Sequence, residues 1–246
     1  MRILINKISV ILFIFSLVGC SDTKKDNHSS KQNKDESFAT EERKIENFNS
    51  INIDGVFNVY LTQGNEVGLS VETNIEQEEY VISEVRENTL YLKMKDDKDF
   101  GNINPIKIYV QVVDLKSLNT KGVGTVSCKK PLKLDQFNVI CEGVGAFDLK
   151  ISANKLIVNS KTVGAIVLAG KVNEVNITHK GVGILQAFDL LAQNLKLSSE
   201  GIGAAEVFAS ESIEINANGI GSVQFKGNPK SKKINSEGIG KVSAVD

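Results

Sequence analysis

A glycine pair recurs along the chain and is the first pattern that could carry chemistry. Gly-x-Gly, or a variant of it, begins at positions 122, 143, 162, 181, 201, 219 and 238, in steps of 18 to 21 residues. A glycine-rich turn can cradle a phosphate when a third glycine and a helix follow the pair. The third position holds Ser127 in the first repeat and no glycine in any other. No dinucleotide or other cofactor is therefore predicted.

Acidic side chains of the repeats suggest a second chemistry, that of a carbohydrate-cleaving carboxylate pair. Asp148 and Glu206 fall in the same outward column but three repeats apart, or about 14 Å if each repeat adds one strand spacing. Glycosidases hold their two carboxyl groups roughly 5 to 9.5 Å apart. The glycine repeats also hold no arginine. No catalytic residue is predicted, and the chain is expected not to be an enzyme.

Histidine and cysteine give no metal site. His179 is the single histidine outside the N-terminal segment, and no partners are spaced to complete a site around it. Cys128 and Cys141 both fall at inward positions, 13 residues apart rather than one repeat. Small buried thiols are expected there, and a disulfide between them is left open.

The residues around each glycine pair alternate as in a strand with one buried face. Before one pair, Ile213 and Ile215 alternate with polar residues, and after it Val223 and Phe225 stand two apart. A unit of about 19 residues cannot bury its own apolar face and must stack on copies of itself. The sequence predicts an all-β fold, a single-stranded β-helix or solenoid with glycine-cornered coils of about 19 residues.

Each corner needs glycine because neighbouring coils press on a turning backbone, which favours a residue without Cβ and with access to positive φ. The predicted structural corners are Gly122, Gly124, Gly143, Gly145, Gly164, Gly181, Gly183, Gly201, Gly203, Gly219, Gly221, Gly238 and Gly240. The residue between the glycines is always Val or Ile, which we interpret as an inward-facing side chain.

Four segments follow from these patterns. Residues 1–19 join a basic start to an eleven-residue apolar stretch, ISVILFIFSLV, which is typical of a signal peptide and too short to span a membrane. Leu17-Val18-Gly19-Cys20 resembles the lipobox of bacterial lipoproteins, which implies lipidation of Cys20. Residues 20–40 are polar and are predicted to form a flexible tether. Residues 41–115 are predicted to be the N-terminal strand portion of the stack, and 116–246 the seven-coil glycine-repeat β-helix.

The amino-acid composition argues against two classes of ligand-binding surface. The chain carries 29 basic and 30 acidic residues, so its near-neutral charge predicts no nucleic-acid binding. It has no Trp and four Tyr, so broad aromatic platforms for stacking sugars or bases are not expected.

Three stretches, FNSINIDGVFNVYLTQG, ENTLYL and GIGSVQFKGNP, resemble the family described as "putative auto-transporter adhesin, head GIN domain". In the last stretch, Gly219, Gly221, Gly227 and Pro229 match the family's glycine pair and its aromatic-x-Gly-x-Pro closure. The resemblance covers about 200 residues, from near Ile45 to the end. It implies a β-helical, non-catalytic protein of the bacterial cell envelope and defines no ligand residues.

The sequence therefore predicts a non-enzymatic, lipid-anchored envelope protein that presents a β-helical rod as an adhesin or scaffold. The expected partners are the outer membrane, through the lipid on Cys20, and an unidentified protein or glycan; the membrane face stays open. Two alternatives remain. One is a carbohydrate-binding or carbohydrate-active β-helix. The other is a periplasmic structural lipoprotein that self-associates end to end through the uncapped terminal coil.

Overall fold

The computed structural model describes residues 38–74, 79–95 and 106–246, of which 79% lie in strands, with no α-helix among them. The strands are β1 (Phe38–Glu42), β2 (Ser50–Gln63), β3 (Gly68–Asn74), β4 (Val81–Arg86), β5 (Thr89–Met94), β6 (Ile106–Val112), β7 (Ser117–Ser127), β8 (Leu132–Lys133), β9 (Gln136–His179), β10 (Val182–Ser199), β11 (Ile202–Ala217), β12 (Ile220–Lys226), β13 (Ser231–Ser236) and β14 (Ile239–Ala244). β1 begins within the segment assigned to the tether, because its backbone pairs antiparallel with β3.

These strands form one sheet that coils into a β-solenoid of about six turns, which confirms the predicted fold class. The main path runs β1-β3-β6-β2-β7-β9-β10-β11-β12-β14, and every pairing from β2 to β14 along β7, β9, β10, β11 and β12 is parallel.

The coils stack with equivalent residues in register. Val182 in β10 lies beside Val163 of the preceding coil and Ile202 of the following one. The Ile213, Ile215, Val223 and Phe225 alternation is as expected, since all four side chains are buried. Inward columns of Val, Ile and Leu therefore form one continuous apolar core along the axis of the solenoid.

An additional corner lies upstream of the glycine repeats. Gly55 in β2 pairs with Gly122, Val56 with Val123, and Phe57 with Gly124. β2 is thus a coil whose second glycine position is filled by phenylalanine. On the edge of β2 that faces away from β7, its first half pairs with β5 and its second half with β6. These strands cover an edge that would otherwise expose unpaired backbone groups.

The interpretation of the residue between the glycines as inward-facing is wrong. Val123, Val144, Val163, Val182, Ile202, Ile220 and Ile239 are between 47% and 75% exposed. The reason is that the two-residue alternation continues through the corner. The glycine positions face inward, where the one side chain in the first glycine column, Thr162, is only 2% exposed, and the residue between them points to solvent.

Candidate functional site

An open groove of about 1190 Å³ lies where β6, β2 and β7 run side by side on the outside of the first coil. Alternate residues of these strands point outward into it, and the connection from β7 to β8 forms one wall. Its lining includes Tyr60, Gln63, Tyr109, Lys129, Lys130 and Lys133.

Two tyrosines form an aromatic surface in the groove. Tyr60 in β2 and Tyr109 in β6 are register partners in adjacent parallel strands. Their ring centroids lie 5.1 Å apart, and the ring planes are inclined by 20°, so the rings are stacked. Tyr109 is 38% exposed. Strand pairing thus joins two rings that are far apart in sequence, and the result is a single ring pair rather than a broad aromatic platform.

A hydrogen-bond network holds Tyr109 in place. The Tyr109 hydroxyl donates to Glu72 Oε2 at 2.8 Å, and Lys107 Nζ donates to Glu72 Oε1 at 2.6 Å. The bond from Lys107, followed by that from Tyr109, lowers the pKa of Glu72. The bond to the Glu72 carboxylate likewise raises the pKa of Tyr109. The bond from its hydroxyl to Glu72 also anchors one edge of the Tyr109 ring.

Gln63 ties the walls of the groove together. Its Nε2 donates to the carbonyl oxygens of Val113 and Lys133, both at 2.9 Å, and its Oε1 accepts from Lys133 N at 2.8 Å. The side chain thus links the chain just beyond β6 to the short strand β8. Such a bridge holds the Lys129–Lys130 connection beside the tyrosines.

The charges in the groove are unbalanced. Lys129, Lys130 and Lys133 are exposed, and none makes an ion pair with another residue of the described ranges, whereas Lys107 is neutralised by Glu72. Among the described residues, three lysines without an ion-pair partner therefore border a groove that also holds the two stacked tyrosine rings. This arrangement suits a ligand that combines a flat, partly apolar face with negative charge.

The model of the family described as "putative auto-transporter adhesin, head GIN domain" matches residues 47–229. The chain belongs to this family. A solved structure described as a putative adhesin, from Bacteroides fragilis, has a TM-score of 0.82 at 30% identity, covering 85% of this chain and 97% of its own. No curated protein sequence is significantly similar.

Two more distant structures share the fold. A protein described as a putative lipid binding protein, from Parabacteroides distasonis, gives a TM-score of 0.60 at 23% identity, covering 86% of this chain and 98% of its own. A putative adhesin from Parabacteroides merdae gives 0.59 at 19% identity with the same two coverages. The head GIN fold is therefore retained at low sequence identity.

The corner glycines of this head GIN domain lie along a ladder and do not gather into a site. In the second glycine column, φ is between +139° and +159° from Gly124 to Gly221. A Cβ at Gly183 would lie 1.8 Å from the carbonyl oxygen of Gly164 in the preceding coil. The backbone at the corner glycines packs against the neighbouring coils rather than binding a ligand.

The structure also shows where the cysteine and histidine candidates lie. Cys128 and Cys141 are free, buried thiols, which answers the question of a disulfide. Burial raises the pKa of the Cys141 thiol to about 12. His179 is 3% exposed, and neither ring nitrogen has a hydrogen-bond partner within the described part of the chain. That same part contains no cluster of three or more His, Cys, Asp or Glu residues suited to a metal ion.

Asp148 and Glu206 are not neighbours in the structure. Glu206 pairs with Gln186, and Gln186 pairs on its other side with Val167, so neither of these two positions next to Glu206 is Asp148. The lipidation prediction for Cys20 lies outside the described residues. Within those residues, no helix is long and apolar enough to cross a membrane.

The sequence patterns did not predict the groove. Its two aromatic residues lie in the non-repeating N-terminal part, where no period aligns one strand with another. The signal that could have found them is the alternation of Tyr60 and Tyr109 with buried aliphatic neighbours, which marks both rings as outward-facing but does not bring them together.

Proposed function

We propose that the protein is a non-enzymatic, lipid-anchored adhesin of the cell envelope that binds an acidic glycan in the Tyr60–Tyr109 groove. The observation that carries this proposal is the stacked tyrosine pair beside three lysines that have no ion-pair partner in the part of the chain that the structure describes. The Bacteroides fragilis structure, described as a putative adhesin, supports the adhesin role through its 30% identity over most of both chains.

The chemistry of the groove favours a saccharide. A pyranose ring presents an apolar face of C–H groups that can pack against the exposed Tyr109 ring, while its hydroxyl groups bond to amide and hydroxyl groups such as those of Thr62 and Asn65. Lys129 and Lys130 would pair with carboxylate or sulfate groups on the sugar. An acyl chain, by contrast, is usually held in an enclosed apolar cavity rather than in an open groove bordered by lysines.

The anchor is proposed from the sequence. Leu17-Val18-Gly19-Cys20 has the pattern of a lipidation site, and the polar residues after it would hold the solenoid away from the outer membrane. The unsubstituted chain should incorporate lipid and partition into detergent, and a Cys20→Ser chain should do neither. Proteolysis of intact cells then tests the adhesin role, because a domain protected from external protease contradicts it.

Ligand binding is tested with polygalacturonate on the chain from residue 21 onward, measured by calorimetry. Methyl-esterified polygalacturonate serves as the matched ligand, because it keeps the sugar ring and removes the charge. Tyr109→Leu should weaken binding to both polymers. Lys129→Gln with Lys130→Gln should weaken binding to the charged polymer alone, by about tenfold for a loss of about 1.4 kcal/mol.

Lys196→Gln provides the control for the lysine substitutions, because Lys196 is an exposed lysine on β10, away from the groove. It should leave binding unchanged. Equal binding of the charged and esterified polymers would contradict the role of the lysines. Binding to anionic phospholipid vesicles without binding to either polymer would reject the glycan proposal.

A further inference from the structure

A continuous apolar ridge runs along the corners of the solenoid. We define this corner ridge by the seven exposed residues between the glycine positions: Val123, Val144, Val163, Val182, Ile202, Ile220 and Ile239. They stack in register, so six steps of about 4.8 Å give a ridge roughly 29 Å long. An ordered aliphatic ladder of this length is unusual on the surface of a monomer and typically marks an interaction surface.

A row of charges borders the ridge on one side. The residue before each first glycine position is exposed, except Glu142, which is half-buried, and this charge row reads Lys121, Glu142, Lys161, Lys180, Glu200, Asn218 and Glu237. Two ion pairs lie within it, Lys161 to Glu142 at 3.5 Å and Lys180 to Glu200 at 2.9 Å. Neighbouring residues of the row with opposite charge therefore pair with each other along the solenoid.

The order of charges in the row allows two copies of the row to pair in antiparallel orientation. When the charge row of one copy runs antiparallel to that of a second copy, with the fourth residues of the two rows aligned, Lys121 lies opposite Glu237. Lys161 then lies opposite Glu200. A two-fold axis repeats each of these opposite pairs, while Lys180 meets its own copy once. A relative shift of the two copies by one coil, which moves the axis toward the N-terminus, instead places Glu142 opposite Glu200 and Lys161 opposite Lys180. Like charges in direct opposition select against that shifted register.

We propose that a second copy of this chain docks antiparallel on the corner ridge, with the two-fold axis crossing the ridge at Val182. Such an isologous contact places the same apolar ladder on both sides and brings the two charge rows against each other. The proposal does not depend on the glycan groove, because it uses the corner residues rather than the outward face of β6 and β2.

The oligomeric state of the chain from residue 21 onward tests the proposal by sedimentation velocity over a wide concentration range. The unsubstituted chain should show a reversible monomer–dimer equilibrium. Val182→Asp places two carboxylates at the axis and should leave only monomer. Gln186→Asp is the matched control, because it is an exposed position on the same coil outside the ridge, and it should still dimerise. A chain that is monomeric at every concentration, or a dimer unaffected by Val182→Asp, would overturn the proposal.

A charge exchange tests the register. Glu200→Lys should weaken dimerisation by roughly tenfold, because it replaces two opposite-charge pairs with two like-charge pairs. Adding Lys161→Glu should restore the affinity, whereas adding Lys121→Glu should not. Thermal melts of dilute protein show separately whether each variant folds. Restoration by Lys121→Glu instead of Lys161→Glu would rule out the pairing centred on Val182.

Discussion

The sharpest test of the corner geometry compares two adjacent residues, Gly183 and Val182. The two side-chain positions face opposite ways, because Val182 is 47% exposed and Gly183 faces the preceding coil. Gly183→Ala adds one methyl group, and Val182→Ala removes two. If the corner is held together by close backbone contact, the smaller chemical change should have the larger effect on stability.

The expected cost of Gly183→Ala has two parts. The φ of +145° at this position is strained for any residue with a Cβ, at about 1 to 3 kcal/mol. The new Cβ would also lie 1.8 Å from Gly164 O, far inside van der Waals contact, so the coils must separate locally. Losing about two backbone hydrogen bonds in that separation costs about 1 to 3 kcal/mol. The sum of the two parts is about 2 to 6 kcal/mol.

The expected cost of Val182→Ala is much smaller. Two fully buried methyl groups would be worth about 1.6 kcal/mol, and roughly half of that remains for a side chain that is half exposed. Gly68→Ala is the matched control for the glycine substitution, because a Cβ there would meet Gln111 Cβ at an ordinary 3.4 Å. Since its φ lies outside the positive region, Gly68→Ala should be neutral or stabilising by up to about 1 kcal/mol.

Urea unfolding of the three variants, at a concentration where the chain is monomeric, gives the free energies of unfolding. The order of cost should be Gly183→Ala, then Val182→Ala, then Gly68→Ala. If Val182→Ala destabilises the chain as much as Gly183→Ala does, the corner is not limited by backbone contact, and the reasoning from the glycine ladder fails.

Three further predictions concern titratable groups. Burial lowers the pKa of His179 below its ordinary 6.5, so the unfolded state takes up its proton first; stability should fall as pH drops below about 6.5. His179→Leu should remove that pH dependence, as measured by urea titrations at pH 5 and 8. Because it deletes two ring nitrogens that have no hydrogen-bond partner among the described residues, it should also stabilise the chain by about 1 to 3 kcal/mol; a steeper pH dependence would contradict this. Burial raises the pKa of both Cys128 and Cys141, so neither thiol should react with a disulfide reagent at pH 8 until the chain is unfolded; fast labelling of the native chain would show that a thiol is accessible. Glu72→Gln should lower the pKa of Tyr109 toward 10, seen as an earlier tyrosinate absorbance rise, whereas Glu206→Gln should leave it unchanged.

The glycine repeat determines much of this fold through the sequence alone. A spacing near 19 residues, with a two-residue alternation on both sides of each glycine pair, leaves stacking as the only way to bury the apolar columns. Residues such as Ile215 and Val223 are therefore inward, as expected. Local periodicity is sufficient here because each coil contacts only its neighbours, and the neighbours repeat the same pattern.

The direction of the corner residues is decided by tertiary structure. Val182 lies between two glycines, and its β-branched aliphatic type favours an inward side chain, while the backbone in fact continues its alternation through the corner. Which side of a turn faces the core depends on φ at Gly183 and on the carbonyl of Gly164, and these are set only when the coils are stacked.

The groove depends on tertiary structure even more completely. Tyr60 and Tyr109 become neighbours because β6 joins the outer edge of β2 in one particular register. No repeat links those two segments, and the pairing is chosen by the burial of their alternate residues, such as Val59 and Ile108. The sequence by itself determined the solenoid through short-range periodicity, whereas the candidate binding surface arose from long-range strand pairing that no local pattern encodes.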